Sequence, residues 1–212
     1  MIPLILRLKR KGHKELAKAE DLIVEELYKF FSNAVLHGGT AIWRCYNGNR
    51  FSEDIDVYIE KDIKKIDALF EALEKKEFSI QKKKIGEKSL FSTLQFNRQM
   101  VRFEAIFKKI DGFLAEYETV EGNFITVYAL TPEELIKEKI NAYLRRFKVR
   151  DLYDVFFLLR HVKDKNKILM ELRKLLKNFK VPIDKTELKV LIIEGLVPST
   201  DKIIEYIKHY AK

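Results

Sequence analysis

The spacing of apolar residues changes near residue 130, and this change limits the folds that the chain can adopt. Before it, runs with a two-residue period, such as Ile55, Val57 and Ile59, alternate with helical stretches such as 12–31. From Thr131 onward the spacing is helical. A two-residue period marks a strand with one buried face, whereas a period of 3.6 marks an amphipathic helix. The sequence therefore predicts an α+β fold: a mixed sheet with flanking helices over residues 1–129, then an α-helical domain over 130–212 packed against it.

Local signals refine this prediction. A strand at 33–37 leads into a glycine turn and a short helix from Thr40 to about Tyr46. Two alternating runs, 90–96 and 100–107, flank a predicted three-residue hairpin loop. The first helix of the second half has the start signals of a capping box: Thr131 can cap it, Pro132 suits its first position, and Glu134 completes the box.

Composition excludes several classes of protein. The chain has 47% hydrophobic and 34% charged residues, as in ordinary globular proteins. No apolar run approaches the roughly 18–20 residues that a membrane-spanning helix needs. Cys45 is the single cysteine, which rules out an intrachain disulfide and makes a zinc site improbable. The N-terminal residues do not resemble a signal peptide, so we expect a cytoplasmic protein.

The formal net charge of +9 has two compatible interpretations. A basic surface attracts phosphate-rich partners such as nucleotides or RNA. A surface rich in lysine and glutamate is also common in hyperthermophile proteins. The charge by itself does not choose between a nucleic-acid partner and a thermophile surface.

The acidic strand is the most informative segment. Asp54 and Asp56 alternate with Ile55 and Val57, so the two carboxylates lie on one face of a strand. In the run 100–107, Glu104 likewise lies opposite the apolar residues. Like charges side by side repel, and a divalent cation such as Mg²⁺ offsets them with the oxygen ligands that it prefers. If the two strands are neighbours, three carboxylates can support metal-dependent catalysis. The alternative is a solvated polar strand face.

The glycine turn upstream favours the functional interpretation. Gly38 and Gly39 allow the backbone to come close to a ligand. The helix that follows, starting at Thr40, directs its free N–H groups and the positive end of its dipole towards a phosphate.

The helix that starts after Thr131 has cationic residues beside its apolar stripe. At about 100° per residue, Lys139, Arg146 and Arg150 lie to one side of the stripe, where they can reach into an adjoining cleft. Such a cationic wall suits a triphosphate. The alternative for these residues is ordinary snorkelling, while Asp151 could cap a helix and Asp154 could pair with an arginine.

Two motifs carry a resemblance to a known family. The first is Gly38-Gly39-Thr40-Ala41, followed by Arg50-Phe51-Ser52-Glu53-Asp54-Ile55-Asp56. The second is Glu138-Lys139 with Ala142, followed by Arg150-Asp151 and Asp154. Together they resemble the AbiEii/AbiGii-type nucleotidyltransferase toxins of the polymerase-beta-like superfamily. The resemblance implies a polymerase-beta-like palm whose active-site cleft is closed by the helical domain.

The resemblance also implies roles for individual residues. Asp54 and Asp56 would hold Mg²⁺ or Mn²⁺, with Glu104 as the third acidic residue. Asp151 and Asp154 would lie beside the site, one of them helping to deprotonate the acceptor. Residues implied to contact the NTP are Gly39, Thr40, Arg50, Ser52 and Lys139.

The function that we expect is transfer of an NMP unit from an NTP to a hydroxyl group. The resemblance implies the toxin of a toxin–antitoxin pair, with an RNA such as tRNA as acceptor and a separately encoded antitoxin as partner. A protein or small-molecule acceptor stays open, as do a nucleotide- or RNA-binding module without catalysis and a purely structural domain. The sequence does not specify the oligomeric state.

Overall fold

The computed structural model describes residues 2–212, and the chain divides into two compact units. The first, the α/β unit, extends to Asn47 and continues over Ser52–Leu130. The second, the helical unit, comprises Thr131–Lys212 together with the short segment Gly48–Phe51. The mixed sheet with flanking helices and the helical C-terminal part confirm the predicted fold class.

The α/β unit contains helices and strands in alternation. Its helices are α1 (Leu4–Arg7), α2 (Lys11–Phe30), α3 (Gly38–Cys45) and α4 (Ile63–Lys75). Its strands are β1 (Val35–His37), β2 (Asp54–Ile59), β3 (Phe78–Ile85), β4 (Ser89–Phe96), β5 (Gln99–Phe107), β6 (Phe113–Glu118) and β7 (Phe124–Ala129).

Within residues 2–212, these seven strands form one sheet in the order β3-β4-β5-β2-β1-β7-β6. Strands β2 and β5 are parallel, as are β1 and β7, and the other neighbouring pairs are antiparallel. The β2–β5 pair places side by side residues that are 48 positions apart in the sequence, such as Asp54 and Arg102. This pairing brings the acidic residues of β2 and β5 together.

One face of the sheet forms the core of the α/β unit. The inward residues of β2, which are Ile55, Val57 and Ile59, are fully or almost fully buried, as are Val101 and Phe103 of β5. Helix α2 contacts β5, and α4 contacts β3. Because side chains alternate along a strand, burial of these residues directs the polar residues between them to the opposite face.

Several details differ from the sequence-based expectations. Strands β3 and β6 were not expected: β3 contains the run Lys82-Lys83-Lys84, which hides its alternation, and in β6 the exposed Leu114 and the buried Glu118 break the alternation. The hairpin loop has two residues, not three, because Phe96 pairs with Gln99. Helix α3 begins at Gly38, so both glycines belong to its first turn.

The helical unit begins with the predicted capping box. The Thr131 hydroxyl accepts from the N–H of Glu134, whose carboxylate accepts from the N–H of Thr131. Segment 48–51 joins this unit through backbone hydrogen bonds. The N–H of Phe51 donates to the carbonyl of Leu191, and the N–H of Ile193 donates to the carbonyl of Asn49. Its helices are α5 (Pro132–Arg146), α6 (Val149–Leu158), α7 (Leu169–Lys177), α8 (Leu188–Leu191) and α9 (Thr200–Tyr210), with 3₁₀ turns at Leu159–His161 and Lys165–Lys167.

None of the helices formed by residues 2–212 combines the length and the apolar character that a membrane span requires.

Candidate active site

The polar face of the sheet brings together the acidic residues that the sequence singles out. In the parallel pairing of β2 with β5, Asp56 lies opposite Glu104 and Asp54 lies opposite Arg102. On the other side of β2, Asp56 lies opposite His37, whose ring stacks on Tyr58 at 4.1 Å. Neighbouring strands of a sheet lie about 4.7–4.9 Å apart. Asp56 and Glu104 are therefore adjacent carboxylates.

The glycine turn lies against this acidic face. Gly38 has a φ of +70°, and a Cβ placed on it would lie 2.1 Å from the Asp56 Oδ2 atom. A side chain at position 38 would thus meet both a strained backbone and the carboxylate. Glycine at this position allows the first turn of α3 to approach Asp56, and Gly39 is buried beside it.

Thr40 connects α3 to the acidic strand. Its side chain is fully buried, and its hydroxyl donates to the backbone carbonyl of Asp54 at 2.5 Å. We expected Thr40 to contact a triphosphate, but its hydroxyl is used within the protein. What this turn can offer to an anion is therefore the N–H groups at the start of α3.

Arg102 is a component of the site that we did not predict. Its Nε and Nη2 atoms donate to the two carboxylate oxygens of Asp54, each at 2.6 Å. The arginine side chain is 46% exposed, and that of Asp54 is 21% exposed. The signal was present in the sequence, because Arg102 lies two residues before Glu104 and so shares its face.

Glu104 is partly buried and lies beside other carboxylates. Partial burial, followed by the negative charges of Asp56 and Asp54, raises the pKa of Glu104, while Arg102 and His37 oppose the shift. Where neighbouring carboxylates raise one another's pKa, a nearby cation stabilises their charged forms. The carboxylate oxygens at this site are therefore the type of ligand that a hard divalent ion prefers.

The geometry of the side chains qualifies this fit. Among residues 2–212, no three histidine, cysteine or carboxylate side chains are already positioned to hold a metal ion. The predicted ligands Asp54, Asp56 and Glu104 share one face of the sheet, but both oxygens of Asp54 are directed to Arg102. A cation bound by Asp54 would have to displace this guanidinium.

The helical unit contains a buried network of charges centred on Asp154. Its carboxylate accepts from Arg50 Nε and Nη2, each at 2.8 Å, and from Lys139 Nζ at 2.8 Å. Burial alone would raise the pKa of Asp154, but Arg50 and Lys139 outweigh it and lower the pKa. Asp154 is therefore a weak base held between two cations.

Asp151 extends the same network. It is completely buried and accepts from Arg146 Nε and Nη2, each at 2.7 Å, while Lys139 Nζ lies 3.9 Å away. The Arg146 side chain is 43% exposed, so one end of the network reaches solvent. Arg150 lies in the first turn of α6 and is partly exposed.

Arg50 and Ser52, two polar residues of the first motif, are both buried. Arg50 is 6% exposed and belongs to the helical unit, where it also donates to its neighbour's carbonyl at Phe51. Ser52 is 7% exposed and lies two residues before β2 in the α/β unit. The resemblance implied that both residues line a nucleotide site. The hydrogen bonds that Arg50 donates within the protein go to Asp154 and to the Phe51 carbonyl.

Comparison with solved structures finds the same fold in several chains, among them the following two. JHP933 from Helicobacter pylori is 20% identical with a TM-score of 0.67, and the match covers 95% of this chain and 91% of that one. MenT4, a nucleotidyltransferase toxin from Mycobacterium tuberculosis, is 16% identical with a TM-score of 0.62, covering 92% and 81%. Comparison with curated protein sequences gives no match.

A family model described as the nucleotidyl transferase AbiEii toxin of a type IV toxin–antitoxin system matches residues 22–193. This range includes the glycine turn, the acidic strands and the ion-pair network around Asp154. It also covers well over half of the chain. The protein therefore belongs to the AbiEii family of nucleotidyltransferase toxins.

Proposed function

We propose that this nucleotidyltransferase is metal-dependent and transfers an NMP unit from an NTP to a hydroxyl group of an RNA such as tRNA. The observation that supports this most directly is the contact between the glycine turn and the acidic face: Gly38 approaches Asp56, which lies opposite Glu104. A turn that binds phosphates beside adjacent carboxylates suits a reaction at a phosphorus atom.

In the proposed reaction, the acceptor oxygen attacks the α-phosphorus of the NTP. The bond between this phosphorus and the bridging oxygen breaks, and pyrophosphate leaves. Mg²⁺ or Mn²⁺, held by Asp54, Asp56 and Glu104, would neutralise the phosphate charge. The N–H groups of Gly38 and Gly39 would bind the triphosphate.

Glu104 is the carboxylate best suited to accept the proton of the acceptor hydroxyl. It lies opposite Asp56 on the face that the glycine turn approaches, whereas both oxygens of Asp54 accept from Arg102. The pKa of Asp154 is lowered despite its burial, because two cations hold it. We therefore assign Asp154 and Asp151 to the positioning of cationic side chains.

We include the cationic residues of the helical unit in the proposal because Lys139 and Arg150 belong to the second motif of the family. Arg146 fits anion binding best, because Asp151 orients its guanidinium while much of the side chain is exposed. Lys139 is 8% exposed and donates to Asp154, so its effect on a phosphate depends on this aspartate. Arg150 and Ser52 would contact the nucleotide. Arg50 would instead hold Asp154 in place through its two hydrogen bonds.

The family also supports two wider proposals. A type IV toxin–antitoxin system implies a separately encoded antitoxin that opposes this protein. Its substrates would be the NTPs and RNA of the cytoplasm, and the excess of 41 basic over 32 acidic residues is consistent with an RNA acceptor.

The decisive experiment incubates the protein with each α-labelled NTP, Mg²⁺ and total RNA. We expect label to enter RNA, and the double variant Asp54→Asn/Asp56→Asn to reduce the labelling by about a hundredfold or more. The control Asp111→Asn/Glu116→Gln removes two exposed carboxylates of the same unit and should leave labelling unchanged.

The ion pair between Asp54 and Arg102 favours one alternative, a protein that binds nucleotide without transfer. Equal labelling by the wild type and the Asp54/Asp56 variant would reject our proposal. Mg²⁺-dependent nucleotide binding with no labelled product in RNA, protein or small molecules would support the alternative.

A further inference from the structure

The polar face of the sheet continues beyond Glu104 onto β4 and β3. Phe91 of β4 lies opposite Glu104, and Lys84 of β3 lies opposite Phe91. In the adjacent row, Thr93 lies opposite Arg102 and Lys82 lies opposite Thr93. We call the four outer residues the β3–β4 strip: Lys82, Lys84, Phe91 and Thr93.

The strip is continuous with the acidic centre. Neighbouring strands are about 4.8 Å apart, so Phe91 is one strand and Lys84 two strands away from Glu104, roughly 5 and 10 Å. This distance is comparable to the extent of one nucleotide. A strand whose hydroxyl reached Glu104 could therefore place its next base and phosphate over the strip.

The chemistry of the strip matches such a strand. Phe91 is partly exposed, and the Lys82 ammonium lies 5.1 Å from its ring centroid. Lys82 and Lys84 are both exposed, and the strip contains no carboxylate. An aromatic ring that stacks on a base, flanked by cations that follow the backbone, is the usual arrangement for binding single-stranded nucleic acid.

The lysine between them shows that the arrangement is specific to this face. Lys83 lies opposite the buried Ser92, and its ammonium pairs with Asp67 at 2.7 Å over the Phe70 ring. Alternation along β3 thus assigns two of three consecutive lysines to the strip and one to the helix-covered face.

We propose that the β3–β4 strip binds an unpaired strand of the acceptor polynucleotide, with one base on Phe91 and phosphates at Lys82 and Lys84. This proposal rests on the proposed function, because it assigns the strip to the acceptor of that reaction. Exposed lysines on an edge strand also discourage edge-to-edge aggregation. That role alone predicts no selective loss of binding when the lysines are removed.

The test measures binding without transfer, by fluorescence anisotropy of a 5′-labelled, mixed-sequence, single-stranded RNA over a range of salt concentrations. For Lys82→Gln/Lys84→Gln we expect weaker binding and a slope of log K against log salt that is smaller by about 1.4, or 0.7 per lysine. For Phe91→Leu we expect about fivefold to hundredfold weaker binding. The affinity for NTP, measured separately, should be unchanged in both.

The matched control is Lys83→Gln/Lys64→Gln, which removes the same charge from the opposite face and from the exposed surface of α4. The proposal is overturned if this control loses as much affinity as Lys82→Gln/Lys84→Gln, or if the wild type binds no RNA. It is also overturned if Phe91→Leu weakens NTP binding and leaves RNA binding intact, because the ring would then hold the base of the NTP. Absence of NMP transfer with the predicted binding pattern would contradict the proposed function and not the strip.

Discussion

Arg102 and Asp54 show how a single ion pair can control an acidic site. The guanidinium takes both oxygens of the carboxylate, whereas a divalent cation needs at least one of them. The two therefore compete for Asp54. Because the arginine is half exposed, it can turn towards solvent or towards a bound phosphate at low cost.

We predict that Arg102→Gln binds Mn²⁺ about twofold to fivefold more tightly than the wild type in the absence of nucleotide. This factor corresponds to about 0.4–1 kcal/mol, the usual contribution of an exposed ion pair. Electron paramagnetic resonance of free Mn²⁺ measures the affinity directly. Arg98→Gln removes the same charge from the loop of the β4–β5 hairpin and should have little effect. Weaker binding by Arg102→Gln would show that the arginine supports the cation.

The elements of the helical unit are held together by buried charges as well as by apolar packing. Asp154 on α6 binds Lys139 of α5 and Arg50 of the 48–51 segment. If a buried carboxylate between two cations loses its charge, both cations are left in the interior without a counter-charge. Asp151 differs, since its bidentate partner Arg146 can reach solvent.

Asp154→Asn should therefore lower the free energy of unfolding by about 3–5 kcal/mol. Asp151→Asn should cost less, about 1.5–3 kcal/mol, because Arg146 can be hydrated when its partner is neutral. Urea denaturation followed by circular dichroism compares the two. Equal losses would mean that the exposure of the partner cation does not determine the cost.

At the scale of the whole molecule, a second buried charge connects distant segments of the α/β unit. Arg44 is about 1% exposed and donates to Asp21 at 2.8 Å and to the Glu118 carbonyl at 3.1 Å. Its guanidinium lies over the rings of Trp43 and Tyr117. Glu20 is also buried beside Arg44, and burial raises its pKa well above 4.5, with Arg44 opposing the shift.

This environment makes stability depend on pH in a defined direction. Since folding raises the pKa of Glu20, the folded state binds this proton more tightly, and the contribution of Glu20 to stability falls as pH rises from about 4.5 through the raised pKa. Glu20→Gln cannot titrate, so its unfolding free energy relative to the wild type should increase over this range. Glu25→Gln, on the exposed side of α2, should show no such trend. A relative stability of Glu20→Gln that is constant or falls with pH would contradict the prediction.

The sequence by itself determined which side chains of the acidic strands share a face and where helix α5 begins. Alternation assigned Asp54, Asp56 and Glu104 to a polar face, and the capping box fixed the start of α5 at Pro132. Periodicity reports burial, which is a local property, so these predictions needed no knowledge of neighbouring strands.

Only the tertiary structure decided which residues meet. The parallel pairing of β2 with β5 placed Glu104 beside Asp56 and gave Asp54 an arginine as its partner. The pairing of segment 48–51 with residues 191–193 placed Arg50 at Asp154, in the helical unit. Strand pairing and buried ion pairs join residues that are distant in the chain, and the spacing of residues along a sequence carries no information about such partners.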